Sequence, residues 1–397
     1  MKKKQFIPLA SGIYINYAIL GMATIIISQY SSNFQKMWNT NLAGISTVIS
    51  MIGIGRLITV LFAGDLSDRI GRKPTMIVGM VATIIFLIGL ALSTSMIMAA
   101  IFALFLGVTN SFDDASSYPA LTDAFESRAA SMNSLVKAAM SLAQFVLPFI
   151  VAVAPDAKIT LILMAIIIAV DIILIASSTF AAQTTKPAAT KQKIAAAATK
   201  QTNNRPKMAI DGMALIILGF TISFTFYVYS QYLPNFGSTV LGLSAGTAKG
   251  LISWYAISSL CSVFITSVLV TKIRPMYLVT IYSAISLLFL ILLVSAPSLL
   301  MIRITSIVIG FFAAGGIWQL GLTVLTQYFP LKKGKVTGYY SFATALTYFV
   351  GPFVSSFIIN DTAVSVLRVF QIDVGVTLIG VAIILVVLLR NLKYHFI

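Results

Sequence analysis

Asp113 and Asp114 stand side by side in a stretch, Ile101 to Ala120, that carries no other charge. Adjacent residues of a helix point about 100° apart. One carboxylate can then face an open cavity while the other faces a neighbouring helix. A carboxylate in that position could load and release a proton, and either could pair with Arg56 or Lys137, two cations in comparably apolar surroundings. Arg56 and Asp113 each lie 16 residues into their apolar stretches, 40–63 and 97–120, so at about 1.5 Å per residue they sit at similar depth. Lys137 has three readings: it pairs with an Asp, holds an anion, or extends its ammonium along the helix to water. Asp171, mid-stretch in 158–181, is a further buried-acid candidate whose role stays open. Ionisable groups in such stretches cost several kcal/mol, roughly, and are functional candidates for that reason.

The elements that must position these groups follow from composition. Hydrophobic residues make up 58% of the 397 and charged residues 10%, against roughly 25% charged in soluble domains. Mean hydropathy is +0.97. This composition belongs to a polytopic membrane protein and excludes a soluble enzyme, a disordered chain and a disulfide scaffold. One Cys (Cys261) and one His (His395) leave no intrachain disulfide, no Cys/His metal cluster and no Ser-His-Asp or Cys-His constellation; no cofactor is expected. Lys and Arg number 27 against 11 acids, a net +16. With no charged domain to host nucleic acid, the excess reads as positively charged loops on an anionic inner leaflet.

Stretches of about 20 apolar residues predict membrane helices. They fall at 8–31, 40–63, 74–93, 97–120, 130–154 and 158–181, then at 208–234, 245–270, 275–296, 299–328, 336–359 and 369–391. The N-terminal one is too long for a signal peptide and lacks a clear cleavage site. The expected fold is all-α, twelve transmembrane helices in two pseudo-symmetric six-helix bundles, 1–181 and 208–397. Residues 182–207, rich in Ala, Thr and Lys, join them as a cytoplasmic tether, with a helix lying on the inner leaflet as the alternative. Alternating the spans from a cytoplasmic start puts 22 of the 27 basic residues inside. Both termini are therefore expected in the cytoplasm, in a monomer of the plasma (inner) membrane. The halves repeat: Leu121–Phe125 matches Leu325–Phe329, Leu147–Phe149 matches Gly351–Phe353, and Ile70–Pro74 is echoed by Lys272–Pro275.

Between the second and third stretches runs Gly64-Asp65-Leu66-Ser67-Asp68-Arg69-Ile70-Gly71-Arg72-Lys73. Gly64 and Gly71 would permit a tight turn, and Asp65 and Asp68 could pair with bases or cap a helix. The segment closely resembles the signature loop of the major facilitator superfamily, G-x-L-x-D-R-x-G-R-K/R, and the plan of six spans, linker and six spans extends the resemblance to the whole chain. The resemblance implies a cytoplasmic charge latch using Asp68, Arg69 and Arg72, with Asp123, Glu126 and Arg128 at the end of the fourth helix as partners. It also implies a cavity lined by helices one, four, seven and ten. Polar stripes fall on those helices, and the cavity candidates are Tyr14, Tyr17, Asn110, Tyr227, Gln231 and Gln319, with Tyr340 on helix eleven.

The expected function is secondary active transport of a small polar solute, such as a sugar, polyol or organic acid, coupled to protons. The chain has no G-x-x-x-x-G-K-[ST] loop to support ATP drive. Proton-driven export of amphipathic drugs is the alternative. It is weakened because Ile101–Gly107 has no Arg and Ala143–Phe149 keeps Pro148 without glycines, where drug antiporters of the resembled family carry both features. A membrane-embedded enzyme or receptor is a remote third reading, since neither needs repeated halves or the signature loop.

Overall fold

The computed structural model describes residues 2–181, 206–330 and 333–394. The linker stretch from 182 to 205, with its tether or surface-helix alternative, lies outside the described residues, as do Lys332 and His395. The described chain is helical with no strand, and twelve helices are long and apolar enough to span a membrane. They are α1 (Ile7–Gln29), α2 (Leu42–Ile70), α3 (Arg72–Leu92), α4 (Met96–Ala124), α5 (Ala129–Val153), α6 (Ala157–Ser177), α7 (Met213–Asn235), α8 (Ala245–Leu269), α9 (Pro275–Ser295), α10 (Leu299–Tyr328), α11 (Lys333–Ile358) and α12 (Ala363–Tyr394). The fold is the one expected. The boundaries differ most at α2, which runs on to Ile70, at α12, which starts at Ala363 rather than 369, and at α7, which starts at Met213 rather than 208; α2 and α4, which ends at Ala124, absorb polar residues expected in loops.

Twelve antiparallel crossings bring both ends of the chain to one face of the bundle. On the opposite, distal face the start of each spanning helix is capped by a short polar side chain. Asn41, Ser95, Asp156, Ser244 and Ser298 accept backbone N–H bonds at the starts of α2, α4, α6, α8 and α10, and Thr362 accepts from Ser365 at α12. Such caps satisfy donors that the helix itself leaves open and contribute about 1 kcal/mol each. On the terminus-bearing face α2 passes into α3 at Gly71 alone, whose φ of 100° favours glycine. Gly64 is not part of that turn. It sits inside α2, which continues past it, and a Cβ there would meet nothing within 4 Å.

Within the first half α2 packs on α4, α4 on α3, and α1 on α5 and α6; in the second half α7 packs on α11 and α12, and α8 on α10. Two seams join the halves, α2 with α11 and α5 with α8. At the first, a Cβ added to Gly53 would run into the Phe349 nitrogen and the Tyr348 carbonyl carbon. Small residues let membrane helices approach to backbone contact, where dispersion rather than water drives association. At the second, Ser141 Oγ donates to Ser259 Oγ at 3.3 Å and Ser253 Oγ to the Phe145 carbonyl at 3.0 Å.

The repeat extends further than the sequence matches above. Ser28-Gln29-Tyr30 recurs as Ser230-Gln231-Tyr232, and Asp171 as Asp373, each 202 residues on. Gln29 and Gln231 are both buried and both cross between the halves. Gln29 Nε2 donates to the Lys249 carbonyl at 3.5 Å and Gln231 Nε2 to the Thr24 carbonyl at 2.7 Å. These bridges and the two seams lie from mid-depth to the distal face. Toward the terminus-bearing face α4 and α10 make no extended contact, and Thr122 and Gln319 on them are exposed. The halves are thus sealed distally and parted at the face that holds the termini.

The Gly53 contact yields a prediction. Gly53→Ala forces the α2–α11 seam apart, because both close neighbours are backbone and overpacking costs about 1–3 kcal/mol. In a Cys261→Ser background, disulfide cross-linking of Gln29→Cys with Lys249→Cys should fall several-fold. Gly250→Ala, which meets nothing within 4 Å, should leave it unchanged.

Candidate functional site

The seam between α2 and α11 carries the charged centre. Arg56, buried in α2, donates from Nη2 to Asp114 Oδ2 on α4 at 3.0 Å. Tyr17 Oη on α1 donates to the other Asp114 oxygen at 3.0 Å, and its ring meets that of Tyr118 edge-on. The second half closes this group from its far side. The Tyr348 ring of α11 lies 4.6 Å beneath the Arg56 guanidinium, and Tyr227 of α7 packs on Tyr348 at 4.1 Å. An arginine gains from an aromatic face as well as from a carboxylate. Asp114 keeps 39% of its side chain exposed, so the pair is accessible on one side. The Tyr227 hydroxyl is buried with no hydrogen-bond partner.

Asp113 points the other way, as the angular offset of neighbouring helix positions requires. It is fully buried, with Oδ2 accepting from Asn16 Nδ2 of α1 at 2.8 Å. Its Oδ1 has no donor and sits against Gly79 of α3, where no Cβ would fit beside it. One turn from Asn16, Gly12 opens space for Asp171 of α6, whose carboxylate is buried with both oxygens unpartnered. Asp373 of α12 is buried and unpartnered in the same way. Sequence reasoning named Asp113 and Asp171 but missed Asn16 and Asp373. The 202-residue offset shared with the Ser-Gln-Tyr repeat is the signal that would have found Asp373.

The remaining candidates divide by location. Lys137 of α5 is half-buried, with Nζ 6.0 Å from the centre of the Phe226 ring on α7. Tyr14 of α1 donates to the Met132 carbonyl at 3.1 Å. Asn110 turns its amide back on its own helix, donating to the Leu106 carbonyl at 2.8 Å, which leaves it little to offer a solute. Tyr340 is fully buried between Gly219 and Gly321 and donates to the Trp318 carbonyl at 3.1 Å. Gln231 is spent on the bridge between halves, and Gln319 is exposed. An apolar groove of about 450 Å³ between α7 and α11, lined by Ile217, Phe220, Phe342 and Leu346 among others, holds none of the charged residues.

At the terminus-bearing face Arg72 pairs with Asp68 at 2.6 Å and also donates to Ser67 Oγ. Lys73 donates to the Ser178 carbonyl at 3.1 Å, tying α3 to the end of α6. Asp65, Arg69, Glu126 and Arg128 are exposed. A second bridge on this face was not anticipated. Arg390 of α12 grips Asp211, at the start of α7, through Nε at 2.7 Å and Nη2 at 3.2 Å.

The central pair makes a stability prediction. A fully buried pair costs about 3–5 kcal/mol when one partner is removed; the exposed side of Asp114 reduces this, so Arg56→Gln alone should lose about 1–2 kcal/mol. Arg56→Gln with Asp114→Asn should recover part of that loss. Thermal unfolding of the purified chain in detergent reads both.

Comparison with known proteins agrees with this architecture. The family model of the Major Facilitator Superfamily matches residues 9–352. The chain is 34% identical over 396 residues to the inner membrane transport protein YdiM of Escherichia coli (strain K12), covering 98% of this chain and 96% of that one. It is 35% identical over 378 residues to the MFS-type transporter YfkL of Bacillus subtilis (strain 168), covering 94% of each. Among solved structures it is similar in fold to the nucleoside transporter NupG, with TM-score 0.75, 12% identity and coverage of 98% of this chain and 100% of that one. It is likewise similar to a D-xylose-proton symporter, with TM-score 0.74, 14% identity and coverage of 96% of each chain. The chain belongs to the major facilitator superfamily and is an integral membrane transport protein of that family.

Proposed function

We propose that this transporter moves a small polar solute by alternating access, driven by protons that exchange at Asp114. The observation that carries the reading is the position of the Arg56–Asp114 pair. It lies on the inter-half seam, partly exposed on the Asp114 side and resting on Tyr348 of the other half on the Arg56 side. Protonating Asp114 removes the charge that holds Arg56. Arg56 then depends on Tyr348 and on whatever solute faces it, so the seam responds to both. Asp113 serves beside it as a sealed carboxyl that fixes α4 against α1 and α3. Tyr17, Tyr118 and Tyr227 supply the rings and hydroxyls that a small polar solute needs.

In this reading the distal seal and the parted terminus-bearing face form one end of the transport cycle. The Asp68–Arg72 pair is the part of the cytoplasmic latch that stays local while the halves are apart. Asp123, Glu126 and Arg128 at the α4 end belong to the same half as the loop and are its candidate partners in the latch. Both termini lie in the cytoplasm, because 22 of the 27 basic residues then fall on the inner side, where an anionic leaflet holds them.

Coupling is tested in proteoliposomes loaded with a pH-sensitive dye. Adding a transported solute outside should move protons with it in the wild-type chain. Asp114→Asn should abolish this proton movement while retaining exchange of labelled solute for unlabelled, since exchange needs no net proton transfer. Proton movement that persists in Asp114→Asn contradicts the role given to this residue.

A further inference from the structure

We propose that the transported solute is an organic monoanion and that Lys137 is the residue that receives its carboxylate. The inference rests on the transport reading above and names the substrate class of the same cavity. Two cations of the first half rest on rings of the second: Arg56 on Tyr348 and Lys137 on Phe226. They differ in one respect. Arg56 is neutralised by Asp114 at 3.0 Å. Lys137 has no ion-pair partner among the described residues.

The carboxylates nearest in depth are not available to it. Asp114 is already held by Arg56 and Tyr17 at 3.0 Å each, Asp113 is enclosed by Asn16 of α1 and Gly79 of α3, and Asp171 lies against Gly12 of α1. Extension to water at the terminus-bearing face is also not what the side chain does. Its Nζ reaches across to Phe226, a residue 13 positions into α7, about 20 Å along that helix. Beside Phe226 there is therefore one half-buried positive charge with no ion-pair partner among the described residues. An ammonium removed from bulk water and left unpaired is costly. A carboxylate brought by the solute supplies the missing charge through a charge-assisted hydrogen bond. The Phe226 ring beside the ammonium offers an apolar face to the remainder of the molecule, which suits a ring-bearing acid. One uncompensated cation matches one negative charge, so a neutral sugar or polyol leaves Lys137 unpaired and a dianion overcharges the site.

The test has two arms, both on the full chain with Cys261→Ser. In the first, Phe226→Cys places a thiol where the ammonium points, and its rates with an anionic and a cationic methanethiosulfonate are compared. Lys137→Gln should lower the preference for the anionic reagent by about tenfold, and Lys137→Arg should restore it. An unchanged preference, or a thiol that neither reagent reaches, overturns the proposal. In the second, thermal stability of the purified protein is measured with matched pairs, gluconate against sorbitol and benzoate against benzyl alcohol, and with chloride and phosphate. A carboxylate that stabilises where its alcohol does not, with the effect lost in Lys137→Gln and kept in Lys137→Arg, supports it. Equal stabilisation by the alcohols, stabilisation by chloride, or a carboxylate effect that survives Lys137→Gln overturns the anion assignment and leaves secondary transport standing. Proton-coupled uptake of neither acids nor alcohols would instead strike at the transport reading itself.

Discussion

The ion pair between Arg56 and Asp114 is the contact on which the two halves of this molecule turn. It joins α2 to α4 within the first half, and its guanidinium lies on Tyr348 of the second. An arginine at this depth needs a counter-charge, and the chain supplies one from a helix with no other acid in its apolar stretch except the immediate neighbour. The approach of α11 to Gly53, one turn from Arg56 on α2, brings Tyr348 under the cation. A larger residue at position 53 would lift the ring away. Backbone packing and electrostatics at the seam are therefore one constraint.

From that centre the remaining polar architecture sorts by function. Side chains that bridge the halves away from the charge, Gln29, Gln231, Ser141 and Ser253, do so through backbone carbonyls or hydroxyls. Such bonds are individually modest, about 1 kcal/mol each, and suit a seal that must open. Bonds that hold one half together are stronger in kind. Arg56 with Asp114 and Arg390 with Asp211 join oppositely charged groups at 3.0 Å and 2.7 Å. The halves are each stiffened by charge-assisted bonds and joined to one another by weaker ones, with the Arg56–Tyr348 contact between.

Much of this was legible in the sequence, for reasons that can be named. Twelve spans were readable because a bilayer forces backbone groups to pair internally and fixes helix length. The pairing of an acid in Asp113-Asp114 with Arg56 was readable from depth, since helical rise is constant. Which of the two acids makes the pair was not, because it depends on helix rotation about its axis, and that is set by Asn16 and Gly79 on other helices. The glycine at 64 was misread because a hydrophobic stretch that ends in charge need not end as a helix; α2 carries Asp65, Asp68 and Arg69 on its final exposed turns. Asn110 looked like a cavity residue by spacing, yet its amide is satisfied by its own helix. For Lys137 the sequence left three readings open, because only the tertiary fold sets its ammonium 6.0 Å from the centre of the Phe226 ring rather than beside an acid or at the membrane surface.

The most direct measurement is the distance between the terminus-facing ends of α4 and α10 as a function of pH. Spin labels at Thr122→Cys and Gln327→Cys, in the Cys261→Ser background, report whether the halves are parted there. If protonation of Asp114 is what frees Arg56 and the seam, the distance distribution shifts with pH in the otherwise wild-type chain and stays fixed in Asp114→Asn. The same pH-dependent shift in both proteins would contradict the account, since the seam would then be answering to some other group.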